Sequence, residues 1–144
     1  MQLLSGSATK TSWRVSSILS RDHKANGAQH MFDGTDITCW TSDHGTPQHV
    51  LLTFHRIVHV RQVHVMFQGG FVGEDVRFLA RTTESPVDFV PLPVTVHFTD
   101  SNAMQAVDVS CDNATHLLVV FGRSSDFYGR VTIYKLAVWG HECK

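Results

Sequence analysis

The chain has 144 residues, 42% of them hydrophobic, with twelve Lys and Arg against thirteen Asp and Glu for a formal charge of -1. This size supports one full hydrophobic core, and the lack of a basic excess argues against nucleic acid, whose binding is dominated by phosphate neutralisation. No run approaches the roughly 18 apolar residues of a membrane-spanning helix, so no membrane insertion is expected.

In chain order, the opening MQLLSGSATK has no basic start, signal-length apolar stretch or small-residue cleavage site, so the chain is not expected to be secreted. Residues 1–11 are expected to form a flexible segment of one domain spanning 1–144. After them come short apolar segments rich in Val, Phe and Thr: WRVSSIL (13–19), HVLLTF (49–54), IVHVRQVHVMF (57–67), DVRFLAR (75–81), VTVHFT (94–99), MQAVDVS (104–110), HLLVVF (116–121) and RVTIYKLAVW (130–139). QGGFVGE, TTESP and GRSSDFYG break the pattern, and Pro91 with Pro93 marks an interrupted or edge strand. No long segment has helical period. The pattern predicts an all-β fold, an antiparallel β-sandwich or jelly roll.

Two of the predicted strands change phase. Val131 and Ile133 share one parity while Leu136 and Val138 take the other, and Val58 and Val60 are followed by Val63, Val65 and Phe67. A bulge near Tyr134 and Lys135, with another in 57–67, would return both sets to one core. Burial of a central strand on both faces is the alternative.

Cys39, Cys111 and Cys143 are odd in number and lack CxxC spacing, which fits a reduced, cytoplasmic or nuclear chain. Ten histidines, if all were protonated, would move the charge from -1 to +9, making mild acid the natural stress. His55, Arg56, His59, Arg61 and His64 give the segment 50–67 a basic outer edge, read first as a solvated face.

Through HMFDGTDITCWTSDHG near one end and DFYGRVTIYKLAVWG at the other, the chain resembles the discoidin-like family, also called factor V/VIII type C or galactose-binding-like domains. The likeness runs from about residue 13 to residue 140. It implies a jelly-roll sandwich that binds ligands on loops at one end, without catalysis. By resemblance to intracellular members, the partner is a protein: a nuclear receptor, or a ciliary transport complex that includes a small Rab-like GTPase. Secreted relatives commonly join their two ends by a disulfide, whereas this chain has Cys143 but no cysteine before Cys39.

The recognition end is expected at Gln68-Gly69-Gly70-Phe71 and at Asp126, Phe127, Tyr128 and Arg130. The glycines permit close backbone approach, the aromatic rings supply anchor area, and Asp126 and Arg130 add directional polar contacts. Alternatively the rings plug the sandwich end and Asp126 only pairs with Arg130. Calcium-binding relatives hold their ion in the segment matching Phe32–Trp40, where Asp33, Asp36 and Thr38 supply hard oxygens for a structural calcium. The competing reading is a turn in which Asp33 caps its own backbone and Trp40 anchors the core. Such relatives often contribute a Glu from the final strand, where this chain has Lys135. No other cofactor is expected.

A carbohydrate-binding module, with Phe71, Phe127 or Tyr128 stacked on a pyranose, is the alternative function. Cys39 lies within ten residues of His30, His44 and His49, yet neighbours along a strand do not converge on one site, and no catalysis is expected.

Overall fold

The computed structural model describes residues 1–143. Its strands are β1 (Gln2–Leu3), β2 (Ser12–Val15), β3 (Trp40–Thr41), β4 (Gln48–Phe67), β5 (Gly73–Thr82), β6 (Val90–Pro91), β7 (Met104–Ser124) and β8 (Thr132–Glu142). Short helical turns at Leu19–Arg21, His23–Asn26 and Ala28–Met31 fill the connection between β2 and β3.

All the strand pairings are antiparallel, and β4 and β7 each run through both layers of the sandwich. The early part of β4 pairs with β2 and with the late part of β7, which in turn carries β5 and then β6. Beyond a register break between Thr53 and Val58, β4 pairs with β8 and with the early part of β7. β1 and β3 lie along the far edge of β8. His55 and Asn113 have positive φ, 58° and 56°, and mark where the two long strands pass between layers. The segments 49–54 and 57–67 are therefore one strand, as are 104–110 and 116–121.

The phase changes are bulges. Val60 faces Gly140 and Gln62 faces Trp139, leaving Arg61 unopposed; Met66 faces Lys135 and Phe67 faces Ile133, leaving Tyr134 unopposed. Each extra residue flips the following alternation, so Val58, Val60, Val63, Val65 and Phe67 are all buried, as are Ile133, Leu136 and Val138. One cluster of apolar side chains extends from Leu4 to Val138.

Three segments depart from the expected pattern. Residues 1–11, expected to be flexible, are packed: β1 pairs with β8, Leu4 is fully buried, and the Arg56 guanidinium donates to the Leu4 and Phe54 carbonyls and to Thr11 Oγ1. An anchor as short as Leu3-Leu4 has no periodicity to detect. The segment 13–19 stops being strand after Val15, because Ser16 and Ser17 turn their hydroxyls to Gln48 Oε1. VTVHFT contributes only a bridge between Val96 and Val76, downstream of two prolines that lack the N–H a ladder needs.

Trp40 is fully buried, pairs with Ile133 through the backbone, and donates its Nε1–H to the Ser17 carbonyl at 2.9 Å. Trp40→Ala is expected to cost about 3–5 kcal/mol, read by denaturant unfolding; retained stability would contradict its role as an anchor. A second expectation concerns acid. Burial holds the pKa of His49 below its ordinary value, and burial with the nearby Arg81 and His55 does the same for His116. Both imidazoles bind protons more readily unfolded, so their contribution is whole above about pH 6.5 and is lost as pH falls through the folded values. H49Q/H116Q should therefore lose less melting temperature between about pH 7 and about pH 5 than the parent. An equal loss would clear these two imidazoles as the cause.

Candidate functional site

The turn after β4 and the loop before β8 meet at one end of the sandwich. Gln68 N–H donates to the Thr132 carbonyl at 3.0 Å, and Thr132 N–H returns a bond to the Phe71 carbonyl at 3.1 Å. Val72 and Ser125 add a second pair of bonds, one from each backbone amide. These contacts set Gln68-Gly69-Gly70-Phe71 beside Asp126, Phe127, Tyr128 and Arg130. The Arg130 guanidinium lies 5.0 Å from the Phe71 ring centre and 5.8 Å from that of Tyr128, so one cation bridges both loops.

Phe127 is 93% exposed and Tyr128 60% exposed, their rings meeting edge to face at 5.3 Å. These two rings do not plug the core. Phe71 is half-buried beneath Arg130. The Asp126 side chain is 11% exposed; its Oδ2 accepts from Arg130 Nε at 3.0 Å and from the Arg130 backbone at 3.1 Å. The hydrogen bond from the Arg130 side chain holds the Asp126 carboxyl below its ordinary pKa. Because that folded value lies below the unfolded one, the pair persists through mild acid and is lost only as pH falls through the folded value. Asp126 and Arg130 thus brace the loop, and the aromatic rings are what it displays.

A third loop, not anticipated from the sequence, completes this rim. Gly45 N–H donates to the Tyr128 carbonyl at 2.8 Å, and the His44 ring stands 5.7 Å from the Tyr128 ring. Gly129, at φ 80°, passes so near Gly45 that a Cβ there would come within 2.9 Å of its carbonyl carbon. Beneath sits Gln48, a buried amide that donates to the Asp43 and Gly45 carbonyls and accepts from Ser16 and Ser17. Its signal was present: Gln48 shares the parity of Val50, Leu52 and Phe54. On the other side, Asp100 and Asn102 accept the backbone N–H groups of Gly70 and Gly69 at 2.7 Å and 2.5 Å. Those amides are therefore spent within the protein. Nothing local in the sequence announces a contact across some thirty residues.

The segment containing Asp33, Asp36 and Thr38 is a hydrogen-bonded turn. Asp33 Oδ1 accepts from Thr35 N–H and Oγ1, and Oδ2 accepts from Thr38 Oγ1 at 2.5 Å. Burial pushes its carboxyl pKa up, but the bonds from Thr38, Thr35 and His30 outweigh this and hold it below the ordinary value. Asp36 points elsewhere, with Oδ1 3.9 Å from Lys135 Nζ. Among the described residues no three His, Cys, Asp or Glu side chains gather at metal-binding separation. With one carboxylate committed to local donors and the other beside an ammonium, these residues do not fit a calcium cradle.

The basic edge is paired within the chain: Arg61 and His59 reach Asp112 at 2.7 Å and 3.5 Å, and Arg56 reaches Glu142 at 2.7 Å. The thiol of Cys39 has Thr41 Oγ1 as its neighbour, at 3.8 Å. No helix among the described residues is long and apolar enough to cross a membrane.

No family model matches the chain. Among curated proteins, the nuclear receptor 2C2-associated protein of Xenopus laevis is 40% identical over 131 residues, covering 88% of this chain and 91% of the relative. Among solved structures, the F5/8 type C domain of a Bacteroides fragilis protein superposes with a TM-score of 0.82 at 14% identity, over 99% of this chain and 97% of that one. The chitosan-binding module 1 of a Paenibacillus chitosanase/glucanase gives 0.76 at 18% identity, over 97% of this chain and 100% of that one. At such identities the structures show the fold alone, which is the discoidin-like, galactose-binding-like sandwich. The identity to the Xenopus relative, sustained over nearly the whole of both chains, carries more: the chain belongs to the family of nuclear receptor 2C2-associated proteins.

Proposed function

We propose that the chain is a non-catalytic protein-interaction module that takes its partner on the rim built by loops 68–71, 126–130 and 43–45. The observation that carries this reading is the pair of exposed rings, Phe127 and Tyr128, on loops whose polar groups are already satisfied from within. A displayed aromatic pair on a braced support offers anchor area without a large ordering cost on binding. The relatives are named for association with nuclear receptor 2C2, and that name supports a nuclear receptor as the partner class. Three free cysteines, Cys39, Cys111 and Cys143, support a cytoplasmic or nuclear setting.

A carbohydrate reading has one observation in its favour. The fold is shared with a chitosan-binding module, and the Phe127 ring, 93% exposed, is free to stack on a sugar ring. The paired test uses the whole chain in two formats, capture of nuclear receptor 2C2 and a glycan array. F127A/Y128A is expected to weaken receptor capture about tenfold or more while leaving the melting temperature within a few degrees. Signal only on the glycan array would replace the interaction reading with the carbohydrate one. Unfolding of the double variant would show that the rings support the body.

The proposed function needs no cofactor. Because Asp33 and Asp36 do not converge, millimolar calcium is expected to leave the melting temperature unchanged. A saturable rise that disappears in Asp33→Asn would establish calcium at Asp33, Asp36 and Thr38 instead.

A further inference from the structure

A cleft of about 220 Å³ opens on the outward face of β8, between that strand, the β1 segment and the turn at Met31–Gly34. It shares no residue with the rim. Its floor is Ala137, which lies opposite His64 on β4, and its walls include Leu3, Met31, Phe32 and Met104. Leu3 and Met104 are 37% and 41% exposed, so apolar surface continues to the mouth. The volume exceeds the roughly 150 Å³ that suffices for a benzene ring in an apolar cavity.

Two polar groups flank this apolar floor. At one end Trp139 Nε1 is shielded from solvent yet has no hydrogen-bond partner, a state that buried N–H groups seldom occupy. At the other end stands Lys135, whose ammonium meets Asp36 only at 3.9 Å. His64 Nε2 lies 3.2 Å from Gln62 Oε1, so an amide oxygen already engages that ring nitrogen. Among the described residues no Asp or Glu lines the cleft. The walls ask for an apolar body, and the ammonium asks for a negatively charged acceptor.

We infer that this cleft is a binding site for a small monocarboxylate with an aromatic or short aliphatic body, the body resting on Ala137 beside the Trp139 indole and the carboxylate drawn to Lys135. Nothing in this site depends on the rim, and either can fail without the other.

The test follows the three indole N–H resonances of the full chain by NMR, with Trp139 assigned by its disappearance in Trp139→Phe. Phenylacetate is the probe and phenylacetamide its neutral counterpart, each titrated to about 10 mM. Phenylacetate should move the Trp139 resonance along a saturating curve while Trp13 and Trp40 stay still. Lys135→Gln should weaken phenylacetate about tenfold and leave phenylacetamide unchanged, as loss of one charge-assisted contact predicts. Ala137→Met, which raises the floor without entering the core, should abolish the shift at unchanged melting temperature. The inference is overturned by the absence of a saturable Trp139 shift, by a shift that survives in folded Ala137→Met, or by equal affinity for the acid and the amide. If Ala137→Met does not fold, Lys135→Gln decides alone, and undiminished phenylacetate binding there overturns the inference.

Discussion

Two strands of 20 and 21 residues, β4 and β7, belong to both layers of the sandwich, and the molecule depends on their changing layer across a short register break in the ladder. A straight strand would keep one set of side chains on one face, and half of its apolar residues would meet water once the sheet turned. Positive φ at His55 and Asn113 marks the change of layer, and the unopposed Arg61 and Tyr134 restore the alternation afterwards. The burial of Val63, Val65, Phe67, Leu136 and Val138 relies on this correction. The loops that join these strands inherit their positions from it.

The rim is one consequence. Because β4 ends at Phe67 facing Ile133 near the start of β8, the turn after one strand and the loop before the other leave from the same place. Backbone bonds through Gln68, Phe71 and Thr132 then fix the two loops side by side. Arg130 serves two purposes there, satisfying Asp126 below and lying across Phe71 and Tyr128 above. Its pairing leaves Phe127 displayed, with the Tyr128 ring as its aromatic neighbour. This separation of brace and display matters for function, since a ring that holds up the body cannot be released to a partner without cost.

How much of this could be read from the sequence depended on whether the information was local. Period-two alternation and turn residues announced the β-sandwich, and the shift in parity at 58–67 and 131–138 announced the bulges, because each is written in adjacent residues. The meeting of loops 68–71 and 126–130 was legible through resemblance. The contributions of His44, Gly45, Asp100 and Asn102 were not, since they arise where separate loops touch and no short pattern encodes them. Packing of residues 1–11 was equally illegible, because Leu4 is a single anchor without a repeat around it. The acidic turn shows the opposite failure: Asp33, Asp36 and Thr38 have the composition of a cation site, but the backbone directs Asp33 to its neighbours and Asp36 to Lys135. Residue type there was legible and convergence was not.

β8 connects the rim to the cleft, and its bulge decides what each displays. Ahead of Tyr134 the strand carries Thr132, which is locked to the rim turn, and Ile133, which is buried. After Tyr134 the alternation is inverted, sending Leu136 and Val138 inward and turning Lys135, Ala137 and Trp139 to the outer face. Without the extra residue Leu136 and Val138 would face water, while a lysine and an indole would face the core, an exchange that burial energetics forbids. The inversion demanded by the core is therefore also what leaves an indole N–H and an ammonium on the outer face of β8 with an alanine between them.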